Sequence, residues 1–322
     1  MVNAHLSNSD RPLTLAVVGD VHDQWSTDDA NALYQLGVDL VLFVGDFGNE
    51  SVDVVRAIAA LELPKAAILG NHDAWYTASS WGKRQCPYDH NQEDRVQQQL
   101  DLLGDDHVGY GCRNFPTLGI SVVGARPFSW GGSTWKNRRF YRDRFGVTSF
   151  ADSTAKIIAA ANQASTTTLI FLGHCGPLGL GDRAHDPCGR DWQPVGGDYG
   201  DPDLAQALGY LVAMGKHIPL VAFGHMHHRL RHSEQLRISL CRDARNTFYL
   251  NAASVPRIIT VEGTTLHNFS LVSLYQGQVN TVHQVWVDAQ GTIAQSHQLH
   301  PQLVPTIQVS LKSCLTDLTT GE

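Results

Sequence analysis

Leu13 to His22 reads LTLAVVGDVH, an apolar run that breaks on Gly-Asp, and Asp39 to Asp46 (DLVLFVGD) repeats the device. A third short run, Lys65 to Leu69, empties into Gly70-Asn71-His72-Asp73. Helical spacing separates them, over Ser26 to Gly37 and over Val52 to Leu61 with Pro64 as punctuation. Short apolar strands alternating with helices of this length indicate βαβ units around a parallel sheet, so the fold class is α/β.

Working outward, two further strands end in the same way. Thr168 to Leu172 runs into Gly173-His174, and Pro219 to Phe223 runs into Gly224-His225-Met226-His227-His228. Between these segments the spacing predicts helices over Asn91 to Leu103, over Phe150 to Ala164 and from Asp201-Pro202 to about Lys216, with strands near Val108 to Phe115 and Ile120 to Ala125. From Thr247 onward β-branched and aromatic residues alternate, as in the antiparallel strands expected at Phe248 to Ala252, Phe269 to Tyr275 and Val282 to Val287. Neither a repeat nor a low-complexity linker divides the chain. The reading is therefore one domain, 1–322, with inserts near 75–90, 126–150 and 176–200 and a polar tail after about 297.

Composition bounds the function. A net charge of −7 argues against a dedicated binder of nucleic-acid backbone or acidic membrane, both of which need a field of Lys and Arg. No apolar run approaches the roughly 20 residues of a bilayer-spanning helix. Met1 to Pro12 lacks a signal-peptide apolar segment, so a cytoplasmic location is expected. The six cysteines include no CxxC pair and read as free thiols.

Five strands thus deliver Asp20 and His22, Asp46, Asn71 to Asp73, His174, and His225 and His227 to one sheet edge, where open α/β sheets bind ligands. If the post-strand segments stay extended, residues i and i+2 point the same way, pairing Asp20 with His22 and His225 with His227. The glycines before them allow sharp turns and close approach. Asp, Asn and neutral His together suit Mn, Fe or Zn better than Mg or Ca, with Mg, Co and Ni as further options. Taken singly, Asp20, Asp46 and Asn71 are ordinary turn residues and His174 is an ordinary core histidine. As an ordered set they read as ligands, and His228 reads as a polar neighbour.

The series GDVH, GDFGNE, GNHD, LGH and GHMH, spread over about two-thirds of the chain, resembles the motif set of the calcineurin-like metallophosphoesterases. The Gln-rich, Lys-poor composition and the inserts resemble a branch from photosynthetic organisms. The resemblance implies a β-sandwich of two mixed sheets flanked by helices. It implies two divalent ions, the first held by Asp20, His22 and His227, the second by Asn71, His174 and His225, with Asp46 bridging. It further implies a bridging hydroxide that attacks a phosphate ester, His72 facing the scissile phosphate, and Asp73 orienting the His72 ring and raising its proton affinity. The implied substrate is a small phosphorylated molecule: a monoester, a diester or a nucleotide. GDFGNE lacks the Tyr, Asp and Arg of the protein-phosphatase branch, which removes support for phosphoproteins.

Outside the motifs, Arg126, Arg138, Arg139 and Arg190 are candidates for clamping substrate phosphate, against the plainer reading of solvated surface arginines. Trp75, Tyr76 and Trp81 are candidates for the pocket wall, and the long 176–200 loop for its rim. Two competing functions share these residues. A nuclease is disfavoured by the missing basic face, and a non-catalytic scaffold is disfavoured because His72 and all seven ligand positions are retained. Oligomeric state is not legible.

Overall fold

The computed structural model describes residues 11–301 and residue 306. Most of the polar tail expected after 297, and Cys314 within it, lies outside the described residues. The first sheet is built from β1 (Leu13–Val18), β2 (Leu40–Phe43), β3 (Lys65–Ala67), β10 (Ile258–Val261), β11 (Thr264–Tyr275), β12 (Gln278–Val287) and β13 (Ile293–His300). Its order is β13-β12-β11-β1-β2-β3, with β10 paired to β11. The second sheet contains β4 (Cys112–Phe115), β5 (Ile120–Gly124), β6 (Thr168–Leu172), β7 (His217–Phe223), β8 (Leu240–Arg242) and β9 (Phe248–Asn251), in the order β4-β5-β6-β7-β9-β8. Both sheets are mixed. β1-β2-β3 and β5-β6-β7-β9 are parallel, whereas β11, β4 and β8 join antiparallel.

Period-two alternation explains the layering. Leu15, Val17, Leu40, Leu42 and Val44 point from the first sheet into the core shared with the second, where Val122, Ile170, Leu220 and Leu250 meet them. Ala16, Val18, Val41 and Phe43 point to the other face. There they are covered by α1 (Thr27–Gln35), α2 (Val52–Ala59) and α4 (Arg95–Leu103), through Leu33, Ile58 and Val96. Strands buried on both faces read as unbroken apolar runs, which is why DLVLFVG alternates with nothing polar. α6 (Phe150–Ala161) and α7 (Pro202–Ala213) cover the outside of the second sheet, with α3 (Ser80–Gln85) and α5 (Arg138–Phe145) in the inserts. Truncating a fully buried side chain such as Phe43 in this setting costs about 3–5 kcal/mol.

Local rules set the ends. Ser26 caps α1, with Asp29 reaching back to the Ser26 amide at 2.8 Å. Ser149 caps α6, and Pro202 opens α7. The insert near 126–150 contains α5, whose arginines hid its short apolar face, Phe140 and Tyr141. β13 had no apolar alternation to betray it: as an outer strand its residues are mostly exposed. The five described cysteines are free. Among the described residues no helix is long and apolar enough to cross a membrane.

Candidate metal centre

The parallel strands β1, β2 and β3 of one sheet and β6 and β7 of the other all end at the same edge, and the motif residues emerge there. The pairing of Asp20 with His22 does not come from extended backbone, as expected from the sequence. β1 stops at Val18 and β7 at Phe223, and the following segments are turns. His22, Asp46 and His225 all hold positive φ, at 44°, 52° and 67°. Side chains other than glycine rarely accept this conformation, and such strain concentrates at functional sites. Gly45, at φ 99°, lets β2 turn against Gly70, where a Cβ would lie 2.5 Å from the Gly70 nitrogen. At Gly224 a Cβ would stand 2.1 Å from Asp20 Oδ1, so only glycine admits the carboxylate.

Two groups of donors result, with Asp46 between them. In one, His22 Nε2 faces His227 Nε2 at 3.2 Å, and Asp20 Oδ2 lies 3.3 Å from His227 and 3.9 Å from His22. In the other, His174 Nε2 lies 2.9 Å from Asn71 Oδ1, 3.2 Å from His225 Nδ1 and 3.3 Å from Asp46 Oδ1. Asp46 Oδ2 is 3.8 Å from His22 Nε2, and its Oδ1 accepts the His72 amide at 2.8 Å. The His174 Nδ1 proton goes to the Val44 carbonyl at 2.8 Å, so Nε2 presents a lone pair to the Asn71 and Asp46 oxygens. Acceptors turned on one another repel unless a cation lies among them. The donor set therefore fits divalent ions, and a backbone carbonyl holding the far nitrogen of a ligand histidine is the usual supporting arrangement.

Charge follows from burial and neighbours. Burial opposes ionisation of Asp20, but hydrogen bonding and charge from His227 hold its pKa far below the usual carboxylate range. Burial drives His225 well down. His227 is pulled down by burial yet ends above its ordinary value because Asp20 outweighs it.

His72 and Asp73 depart from expectation. Burial lowers the His72 pKa, only partly countered by Asp46. Its Nδ1 meets Asn49 Oδ1 at 2.6 Å, and its ring stacks on Trp75 with centroids 4.4 Å apart. Asp73 does not touch that ring. Its fully buried carboxylate accepts the Phe47 amide at 2.8 Å and the Gly70 amide at 2.7 Å, tying the GDFG turn to the GNHD turn. The reason is geometric: the short 3-10 turn at His72–Ala74 sends adjacent side chains in different directions. Asn49, the third residue after Asp46, carried the only sequence signal for this contact, by its position in GDFGNE.

Above the centre lies a cavity of about 450 Å³, lined at its base by Asp46, Asn71, His72, His225 and His227. Its walls are Trp75, Trp130, Trp192 and Tyr199, and its cations are Lys136, Arg229 and Arg231. None of the four arginines expected to clamp phosphate lines it. Arg126 is buried, donating to Asp201 at 2.6 Å and Asp203 at 2.9 Å beneath Trp135 and Tyr141. Arg138 is exposed at the start of α5, and Arg139, 85% exposed, pairs with Asp143. Arg190 lies behind the wall, its guanidinium over the Tyr199 ring and its Nε donating to the Gly196 carbonyl. Tyr76 faces a neighbouring polar cleft, and Trp81 packs edge-on against Trp75. The 176–200 loop supplies Asp191, Trp192 and Tyr199, and the sequence could not show that Arg237 pins this loop. Arg237 donates to the carbonyls of Ala184, Asp186 and Gly189 and, at 3.0 Å, to that of His227. His228 is buried against the Asn251 carbonyl at 2.9 Å.

The family model for calcineurin-like phosphoesterases matches residues 13–229, spanning every one of these motif turns. The chain belongs to the calcineurin-like phosphoesterase family. It is accordingly a hydrolase acting on ester bonds, in a family that uses divalent metal ions and acts on small phosphorylated substrates. No curated protein matches the chain. Solved structures similar to this phosphoesterase include a Thermus thermophilus protein, 12% identical, covering 87% of this chain and all of that one at a TM-score of 0.46. An archaeal phosphodiesterase is 9% identical, covers 85% of this chain and all of its own, and has a TM-score of 0.36. A Streptococcus pneumoniae protein named a predicted phosphoesterase is 10% identical, covering 89% and 97% at a TM-score of 0.33.

Proposed function

We propose that this chain is a single-domain, cytoplasmic hydrolase of a small phosphomonoester, phosphodiester or nucleotide-like molecule, working with two divalent ions, of which Mn, Fe or Zn best suit the donors. Asp20, His22 and His227 hold one ion and Asn71, His174 and His225 the other, with Asp46 shared. The observation that carries this reading is the set of three overlapping groupings, Asp20-His22-His227, His22-Asp46-His72 and Asp46-His174-His225, each with its candidate ligand atoms within 4.8 Å of one another. When bound, two such ions supply Lewis acidity and lower the pKa of water to near neutrality.

The chain's own residues do the rest. Asn49 and the Trp75 face hold the His72 ring so that Nε2 points toward Asp46 and the cavity, 4.0 Å from Asp46 Oδ2. Nδ1 keeps its proton, which it donates to Asn49 Oδ1. An anionic ester beside the ring raises its proton affinity again, and Nε2 then passes a proton to the leaving oxygen. A positioned general acid of this kind contributes about 10²–10⁴ in rate. Asp73 keeps the two turns in register rather than tuning the acid.

The test is to strip the protein of metal and measure turnover of p-nitrophenyl phosphate and its bis-ester with Mn, Fe, Co, Ni, Zn or Mg restored. Metal-restored turnover that His72→Ala reduces by about 10²–10⁴ is expected. Protein that binds two ions and hydrolyses neither ester, or loses nothing with His72→Ala, contradicts the reading.

A further inference from the structure

The motif turns account for the floor of the cavity but not for its walls. From His72 an aromatic ladder climbs outward. Trp75 stacks on His72 at 4.4 Å and 15°, and Trp130 stacks on Trp75 at 5.4 Å and 24°. Across the cavity Trp192 meets Tyr199 edge-on at 4.8 Å. Lys136 stands between the two walls, its Nζ 6.0 Å from the Trp130 centroid and 5.8 Å from that of Tyr199. Arg231 lies over Trp192 at 5.6 Å.

Two features of this mouth go beyond what the metal centre needs. First, three indoles line an opening to solvent, at a cost in exposed apolar surface that simple phosphate would not recover. Second, the side-chain cations of Lys136, Arg229 and Arg231 form no ion pair within 4 Å among the described residues, although the chain carries seven more formal negative than positive charges. The one acid of the lining besides Asp46 at the floor, Asp191, accepts the Arg231 main-chain amide at 3.0 Å and lies 3.7 Å from Arg237. Acids were available, yet these cations are left free. Ions held by the floor residues would neutralise one phosphate there, so free cations at the rim are matched to a second anion.

Resting on the hydrolase reading, we propose that the mouth selects phosphoesters that carry a flat aromatic base and a further phosphate, the chemistry of a nucleoside diphosphate or a dinucleotide. The scissile phosphate sits at the floor beside His72. The base lies against Trp130 and Trp192, and the second phosphate is held by Lys136 and Arg231. The volume of about 450 Å³ lies within the range of small-molecule sites.

The test is a set of calorimetric titrations of the full chain with manganese in fixed excess, using the α,β-methylene analogue of ADP, AMP and methylenediphosphonate. The ADP analogue is expected to bind roughly five- to a hundredfold tighter than methylenediphosphonate, as base stacking on an indole provides, and about fivefold or more tighter than AMP. Trp192→Leu narrows the first gap, and Lys136→Gln combined with Arg231→Gln narrows the second. Equal binding of the analogue and methylenediphosphonate overturns the base subsite; equal binding of the analogue and AMP overturns the second-anion subsite. The ligand series on the unaltered protein decides this even where a variant fails to fold. Turnover of bis(p-nitrophenyl) phosphate on the same preparation separates the two claims. Turnover without the ranking removes the nucleotide inference alone, and the ranking without turnover removes hydrolysis while keeping the ligand class.

Discussion

The strand-end rim and the mouth above it are held by different forces. At the rim, backbone does the holding: the Val44 carbonyl fixes His174, the His225 amide bonds Asp20 at 3.0 Å, and the His72 amide bonds Asp46. In the mouth, side chains do the holding: Arg126 grips Asp201 and Asp203, Arg237 gathers loop carbonyls, and indoles lean on one another. A rim set by strand ends is rigid and keeps one chemistry. A mouth built from interchangeable side-chain contacts can be reshaped without disturbing it.

That contrast makes ordered predictions. Asp46→Asn strikes the carboxylate that lies between the two groups of donors, and metal-restored turnover is expected to fall by at least about 10²–10³. Elemental analysis of the same variant should show fewer bound ions. Gly224→Ala, which drives a methyl into Asp20 Oδ1, is expected to weaken metal binding by about 10–100-fold in calorimetry while circular dichroism stays native.

Arg126 tests the mouth's scaffolding. Arg126→Met leaves Asp201 and Asp203 buried without their cation and is expected to cost about 3–5 kcal/mol in urea unfolding. A loss of substrate affinity without loss of stability would instead restore Arg126 to the binding surface.

Smaller effects concern proton affinity. Asn49→Asp places a carboxylate on His72 Nδ1 and raises the pKa of the ring. If protonated His72 is the acid, the alkaline limb of the kcat/KM profile should move up by about one pH unit or more. An unmoved limb would take His72 out of that role. Burial holds the His107 pKa down at about 4, and its Nε2 has no hydrogen-bond partner among the described residues. A histidine depressed in the folded state contributes stability above its unfolded pKa of about 6.5 that is lost as pH falls toward 4. His107→Leu should therefore flatten the decline of melting temperature between pH 6.5 and 4.

The same contrast governs what the sequence could reveal. The convergence of Asp20, Asp46, Asn71, His174, His225 and His227 was legible because each follows an apolar strand, and strand ends converge by topology. The apolar runs gave the parallel strands and the later alternation the antiparallel ones, while their division into two mixed sheets came from the family resemblance. The resemblance implied that Asp73 orients the His72 ring; a 3-10 turn instead splits the pair, Asp73 bonds the Phe47 and Gly70 amides, and Asn49 supplies the acceptor. Arg126 and Lys136 are both cations of one insert. Only tertiary packing makes the first a buried tie and leaves the second facing the cavity. α5 and β13 escaped notice because a short arginine-rich helix and an exposed outer strand carry little hydrophobic period.

The most direct experiment counts metal and turnover together: elemental analysis and bis(p-nitrophenyl) phosphate hydrolysis on the same protein, before chelation, after it, and after metal is restored. Two ions per chain, activity lost on chelation and regained on reloading, and neither recovered by Asp46→Asn, is the predicted result. Hydrolysis that survives complete chelation, or that Asp46→Asn retains in full, would contradict a two-ion centre at these strand ends.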